Sequence, residues 1–146
     1  MSKVVAYGIC LYKKTDEKIY ILLCKSVKSS HRWGALKGVA LEDEQPQDTA
    51  IREFEEESSI KIEKKYLEKL FFQENISKDI GIYLVNYDNI SDIEQYFQDD
   101  ILFDRYLSSE NSMVKFFDIK NLPLIKKKQY KIIENISEYL KGNSYA

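Results

Sequence analysis

Histidine occurs once among the 146 residues, cysteine twice and glycine five times. Each shortage closes off a chemistry. A Ser-His-Asp or Cys-His constellation would have to be built on His31 alone, and no neighbouring residue recommends it. A zinc site fails for want of ligands. Cys10 and Cys24 sit inside apolar segments without metal-ligand spacing and read as buried thiols of a reducing cytoplasm. The glycines form no Walker-type loop, so any phosphate handling rests on metal rather than on a nest of backbone amides. No apolar run approaches the ~18 residues needed to span a bilayer, and no charged and apolar leader opens the chain. The formal net charge of −2 gives no global attraction for nucleic acid or anionic membranes, so a polyanion has to be met by a local basic cluster. Repeats and low-complexity tracts are absent.

What is present reads as one globular domain over residues 1–146. Hydrophobic residues make up 44% and charged residues 32%, with 11 Tyr and 7 Phe as packing material. β-Branched and aromatic residues predict strands over 3–13, 19–24, 66–73, 79–87 and 111–119, the first two joined as a hairpin. Residues 25–32 read as a basic, serine-bearing loop. A helix is expected over 47–58, with Pro46 near its start. The capping-box pattern Ser91-Asp92-Ile93-Glu94 predicts a short helix within a long insertion, 88–109, placed to serve specificity, a dimer contact or surface elaboration. Ile125, Ile132, Ile133, Ile136 and Leu140 predict an amphipathic helix over 124–140.

The densest chemical signal is Arg52-Glu53-Phe54-Glu55-Glu56-Glu57. On a helix at about 100° per residue, Glu56 and Glu57 fall within roughly 60° of Glu53, while Glu55 points to the back. Ala50 and Phe54 flank the acidic patch, so the same helix buries one side and offers three carboxylates to a cleft. Their mutual repulsion calls for compensation, and an all-oxygen donor set favours Mg²⁺ or Mn²⁺ over zinc.

Upstream, Gly38 is followed after five residues by Glu44 and after seven more by Arg52-Glu53, then Phe54, a spacer and Glu56-Glu57. This 23-residue pattern resembles the signature of the Nudix hydrolases, departing where Ser59 replaces the final glycine and Phe54 an aliphatic residue. Trp33-Gly34-Ala35-Leu36-Lys37-Gly38 resembles the lead-in of several Nudix subgroups, with Leu36 in the usual proline position. At a helix end the serine would cost roughly 1 kcal/mol in the left-handed conformation that glycine tolerates.

The resemblance implies an α+β fold, a Nudix-type α/β/α sandwich with a mixed β-sheet between helices. It implies Mg²⁺, with Mn²⁺ a possible substitute, held by Glu53, Glu56, Glu57 and the Gly38 carbonyl. Glu53, Arg52 and Glu57 would carry the chemistry, Glu53 as a further ligand or as the general base, and Glu44 would support the loop. Lys37, Arg32, Lys127 and Tyr130 are the candidate substrate contacts, and Glu110 is a candidate extra acid. The implied reaction is pyrophosphohydrolysis of a nucleoside diphosphate linked to another moiety, dinucleoside polyphosphates leading. Alternatives are NTPs, nucleotide sugars, an RNA 5′ end, or a nucleotide-sensing module without turnover. The partner is then a small-molecule nucleotide, with nucleic acid limited to an RNA 5′ end, no membrane, and a monomer or homodimer in the cytoplasm.

Overall fold

In a computed structural model, residues 3–28 and 31–142 are described. Ser29 and Ser30 of the expected basic loop lie outside that set. The first two strands are β1 (Val4–Lys14) and β2 (Ile19–Ser26), followed by β3 (Trp33–Gly34), β4 (Leu36–Val39) and the helix α1 (Pro46–Ser58). Next come β5 (Leu70–Gln73), β6 (Lys78–Asn86), β7 (Phe97–Gln98), β8 (Ile101–Leu102), β9 (Asn111–Asp118) and α2 (Tyr130–Leu140). Among the described residues the nine strands form one mixed sheet, in which β1 pairs parallel with β6 and antiparallel with β2 and β4. One edge of β1 is shared, residues 6–9 with β4 and residues 12–14 with β2. The sheet therefore forks there, with Lys37 and Gly38 of β4 at the fork.

Period-two alternation sends neighbouring strand residues to opposite faces. Ile9, Leu11, Leu22, Val114 and Phe116 pack with Ala50 and Phe54 of α1, while Cys10, Ile21, Leu23, Ile82 and Leu84 pack with Ile132, Ile133 and Ile136 of α2. The outcome is the expected α+β sandwich, with a helix on each side of the sheet. Phe54 has no exposed surface, and burying such a ring stabilises by about 1.5–3 kcal/mol.

Three local expectations need correction. The strand expected over 66–73 begins only at Leu70, because Lys64–Tyr66 forms a single 3-10 turn. The capping box at Ser91 is not formed: Asp92 sits at the helix start with φ 56°, and no side chain caps it. The last helix begins at Tyr130 rather than Leu124. Residues 124–126 are instead extended along Trp33, whose N–H donates to the Leu124 carbonyl at 2.8 Å and whose carbonyl accepts the Lys126 N–H at 2.9 Å. Gln73 of β5 then takes the place of a capping residue, its Oε1 accepting the Ile132 N–H at 2.8 Å.

The insertion at 88–109 folds over the α1 side of the sheet. Ile93 and Leu102 join the core layer that also holds Ala50 and Phe54, 2% and 1% exposed. Lys13 ties the segment down, pairing with Asp100 and lying 4.5 Å from the Phe116 ring and 5.3 Å from that of Tyr87.

Candidate active site

Helix α1 starts with Pro46 at its first turn, where a missing N–H costs nothing. It ends at Ser59, whose φ of 67° is left-handed and whose N–H caps the Glu55 carbonyl at 2.8 Å. The serine that departs from the family pattern thus keeps the glycine-type turn, and its Oγ donates to the Tyr106 carbonyl at 3.1 Å. Between those ends Glu55 and Glu56 are exposed, Glu53 is half-buried and Glu57 is buried.

Arg52 is the hub of this face. Its Nε and Nη2 donate to the two Glu44 carboxylate oxygens at 2.8 and 2.9 Å, a bidentate pair. Nη1 donates to Glu53 at 2.9 Å and to Glu56 at 2.8 Å, and Nη2 reaches the Val39 carbonyl at 3.1 Å. Glu44 also accepts from the Leu41 N–H and Thr49 Oγ1, at 2.9 and 2.8 Å, and so closes the loop from β4 into α1. These donors, Arg52 first, hold the Glu44 carboxyl at about 2, well below its ordinary 4.5.

Glu53 is packed against Gly38: a Cβ at position 38 would lie 2.0 Å from the Glu53 carboxyl carbon. Only glycine permits that approach. Burial raises the Glu53 pKa, against the opposing pull of Arg52. Glu57 is 8% exposed, and its Oε1 accepts from Asn111 Nδ2 at 2.9 Å while its Oε2 is buried with no hydrogen-bond partner. Burial pushes the Glu57 carboxyl up to about 7, partly offset by Asn111 and reinforced by Glu53 and Glu110. Cys24 and Cys10 are buried free thiols, as expected.

Whether these residues suit a divalent cation turns on that orphaned oxygen. A buried carboxylate oxygen without a partner is costly, and a cation beside it would satisfy it. The donors nearby, Glu53 and Glu56, are oxygen ligands of the type Mg²⁺ prefers. In the structure Arg52 holds those two carboxylates, and among the described residues no three His, Cys, Asp or Glu side chains yet close on one metal point. The set fits in the chemistry of its donors, and Arg52 supplies part of the positive charge beside Glu53 and Glu56.

A small depression joins Glu57, Glu110, Asn111, Cys24 and Lys37. Lys37, Lys126 and Gln129 continue it into a larger cleft of about 420 Å³ that includes Arg32 and Lys127. Burial and then the nearby Lys78 and Lys126 lower the Lys37 pKa. Three of the four expected substrate contacts therefore meet here. Tyr130 does not: it borders a separate hollow with Ile119, Leu122 and Ile125. Nor does any residue of 88–109 line either depression around Glu57. Asn111, Gln129 and Lys78 escaped the sequence reading, whereas Lys126 belongs to the basic run 126–128 that it offered beside Tyr130. Only Asn111 left a trace, as a polar residue opening a strand beside Glu110.

A glycine strand running through a loop into a carboxylate-bearing helix, set at the fork of a mixed sheet beside a basic cleft, defines a phosphate-anhydride hydrolase scaffold. The profile of the NUDIX domain matches residues 2–136, and the chain belongs to the Nudix hydrolase family. No curated protein matches it by sequence. Its structure is similar to that of an Ap4A hydrolase binary complex from C. elegans, with a TM-score of 0.66 and 24% identity over 95% of this chain and 98% of the other. It is also similar to the NUDIX domain of NrtR from Shewanella oneidensis complexed with ADP ribose, at 0.69 and 19% over 96% and 90%. An ADP-ribose pyrophosphatase from Streptococcus suis aligns at 0.58 and 15% over 99% and 97%. These likenesses concern the fold.

Proposed function

We propose that residues 1–146 act as one domain that hydrolyses a phosphoanhydride bond in a nucleoside diphosphate linked to another moiety. Dinucleoside polyphosphates are the leading substrate class. The observation that carries this reading is Glu57, a buried carboxylate with one oxygen fixed by Asn111 and the other unpartnered, in a depression it shares with Lys37 and Lys126. The end-to-end likeness to an Ap4A hydrolase supports the substrate class.

Glu56, Glu57 and the Gly38 carbonyl would hold Mg²⁺, or Mn²⁺ in its place, and Glu53 is assigned to the base rather than to a further ligand position. When bound, the cation polarises the phosphoryl oxygens and acidifies a water. The chain's own residues do the rest. Asn111 holds Glu57 in one orientation, Arg52 with Glu44 keeps the acidic face of α1 in register with β4, and Lys37 neutralises charge on the phosphoryl group. Glu53 takes the proton of the attacking water, its affinity for it raised by burial against Gly38. Retention of all three carboxylates weighs against a module that only senses nucleotides. Two buried free thiols fit a reducing cytoplasm, and among the described residues no helix is long and apolar enough to cross a membrane.

The test is a panel of dinucleoside polyphosphates, NTPs, ADP-ribose, NADH and triphosphorylated RNA, assayed with Mg²⁺ and product analysis. At least one should be cleaved at a phosphoanhydride, and Glu57→Gln should lower kcat by at least about 100-fold with an unchanged circular dichroism spectrum. Tight nucleotide binding without hydrolysis of any member would move the chain to the sensing class.

A further inference from the structure

A hollow of about 310 Å³ lies between residues 119–125 and one side of α2, and it shares no lining residue with the depressions around Glu57. Its walls include Ile119, Leu122, Ile125 and Ile133, and Tyr130, more than half exposed, borders it. The volume falls at the small end of the ~300–1,000 Å³ typical of small-molecule sites. The walls are held in place by the backbone. Ile119 N–H donates to the Ile19 carbonyl at 2.9 Å, Asn121 N–H to the Asp118 carbonyl at 2.9 Å, and the Leu124 carbonyl accepts the Trp33 N–H at 2.8 Å. A preformed wall spares a ligand the cost of ordering it.

Ser137 is the polar exception in this lining. It is 4% exposed, and its Oγ is enclosed without a hydrogen-bond partner. A helix serine ordinarily turns its hydroxyl back to the carbonyl four residues earlier, and Ser58 of α1 does so, donating to the Phe54 carbonyl at 2.6 Å. Ser137 makes no such bond. A buried hydroxyl left unpaired lowers stability. Rotation about its χ1 bond breaks no hydrogen bond, so a polar group in the hollow can recruit it.

Charge narrows the occupant. Glu134 and Glu138 both border the hollow, but Glu134 pairs with Lys131 at 3.2 Å and Glu138 with Lys141 at 3.4 Å. Each rim carboxylate thus has its own cation, and an ionic ligand would have to compete with these pairs. The exposed Tyr130 ring favours a flat partner, because aromatic pairs gain beyond the area they bury.

We propose that the hollow is a second ligand site, for a small uncharged aromatic compound carrying one hydroxyl or ring N–H. The ring lies against the isoleucines and Leu122, with Tyr130 beside it, and the polar group bonds to the Ser137 hydroxyl. The inference does not depend on the reaction assigned to Glu57.

Amide correlation NMR spectra of the full chain, titrated with phenol, indole, toluene, benzoate, benzylamine and adenosine, test it. Phenol or indole should give saturable shifts confined to residues 119–125 and 130–141. Ser137→Ala should weaken that binding at least about 5-fold and leave toluene within about 2-fold. The same variant should raise Tm by about 2–4 °C, because it removes a buried hydroxyl that has no partner. No saturable shift at these residues below about 10 mM phenol or indole would overturn the proposal. So would unchanged phenol affinity in Ser137→Ala, or a lower Tm, which would mean that the hydroxyl is already satisfied. Benzoate or benzylamine binding there as tightly as phenol would refute the uncharged class, and adenosine doing so would return the hollow to the nucleotide.

Discussion

Replacing Glu44 by Gln tests the frame that holds the carboxylates in place. In the native chain its two oxygens accept four hydrogen bonds, two from Arg52 and one each from Leu41 N–H and Thr49 Oγ1. The glutamine keeps the shape but sets an NH₂ group against a guanidinium. Hydrogen bonds to charged groups are worth about 1.5–3 kcal/mol when buried. The Glu44 side chain is 14% exposed and that of Arg52 28%, so solvent screening reduces the net loss to about 2 kcal/mol. For a chain of this size that lowers Tm by about 4–8 °C.

The pH dependence is the sharper part. The folded pKa of Glu44 is depressed from 4.5 to about 2, so its contribution is fully present above 4.5 and fades as pH falls towards 2. Urea unfolding of both proteins at pH 7, 5, 4 and 3 measures the gap directly. It should be widest at pH 7 and 5 and narrow steadily below. A gap equally large at pH 3 and pH 7 would falsify the assignment of the stabilisation to the ionised carboxylate.

Other outcomes follow from single contacts. Asn111→Ala removes the donor to Glu57 Oε1 and should raise the Mg²⁺ concentration for half-maximal activity about 10-fold; an unchanged Mg²⁺ titration would remove Asn111 from the site. Ser59→Gly relieves a left-handed residue, worth up to about 1 kcal/mol, but loses the bond to Tyr106 and loosens the unfolded chain, so stability should change by less than about 0.5 kcal/mol. A shift above about 1.5 kcal/mol in urea melts would mean that one of these opposing effects has been misjudged. Burial pushes the Cys10 thiol up to about 12 and raises that of Cys24 as well, so neither should react with a thiol reagent at pH 8 until the protein is denatured. Rapid labelling of the native chain would contradict their packing.

The carboxylate face was legible in the sequence because a helix converts spacing into direction: residues three and four apart must share a face, and the buried Phe54 confirms which way the helix turns. The strands near the chain start and at 78–86 were legible from their β-branched and aromatic residues, which suit a pleated, buried sheet. The C-terminal basic run was misread because its apolar spacing also suits a helix, whereas Trp33, far away in sequence, takes its backbone hydrogen bonds. Asn111 and Lys78 were invisible because they reach the site through sheet pairing, which leaves no periodic mark. Tyr130 was placed with the lysines by sequence proximity, and the start of α2 turns it to another hollow.

The segment 88–109 looks expendable in length, since it leaves the cleft untouched. Yet it supplies Ile93 and Leu102 to the layer beneath α1 and the carbonyl that receives Ser59. Trimming it would strip two buried residues from the core layer that also holds Ala50 and Phe54, and activity should fall through loss of footing rather than loss of contact. Substitutions in this region should therefore be tolerated only on its outer surface, and a graft that ignores its inner residues would deliver the candidate side chains on a less firmly seated helix.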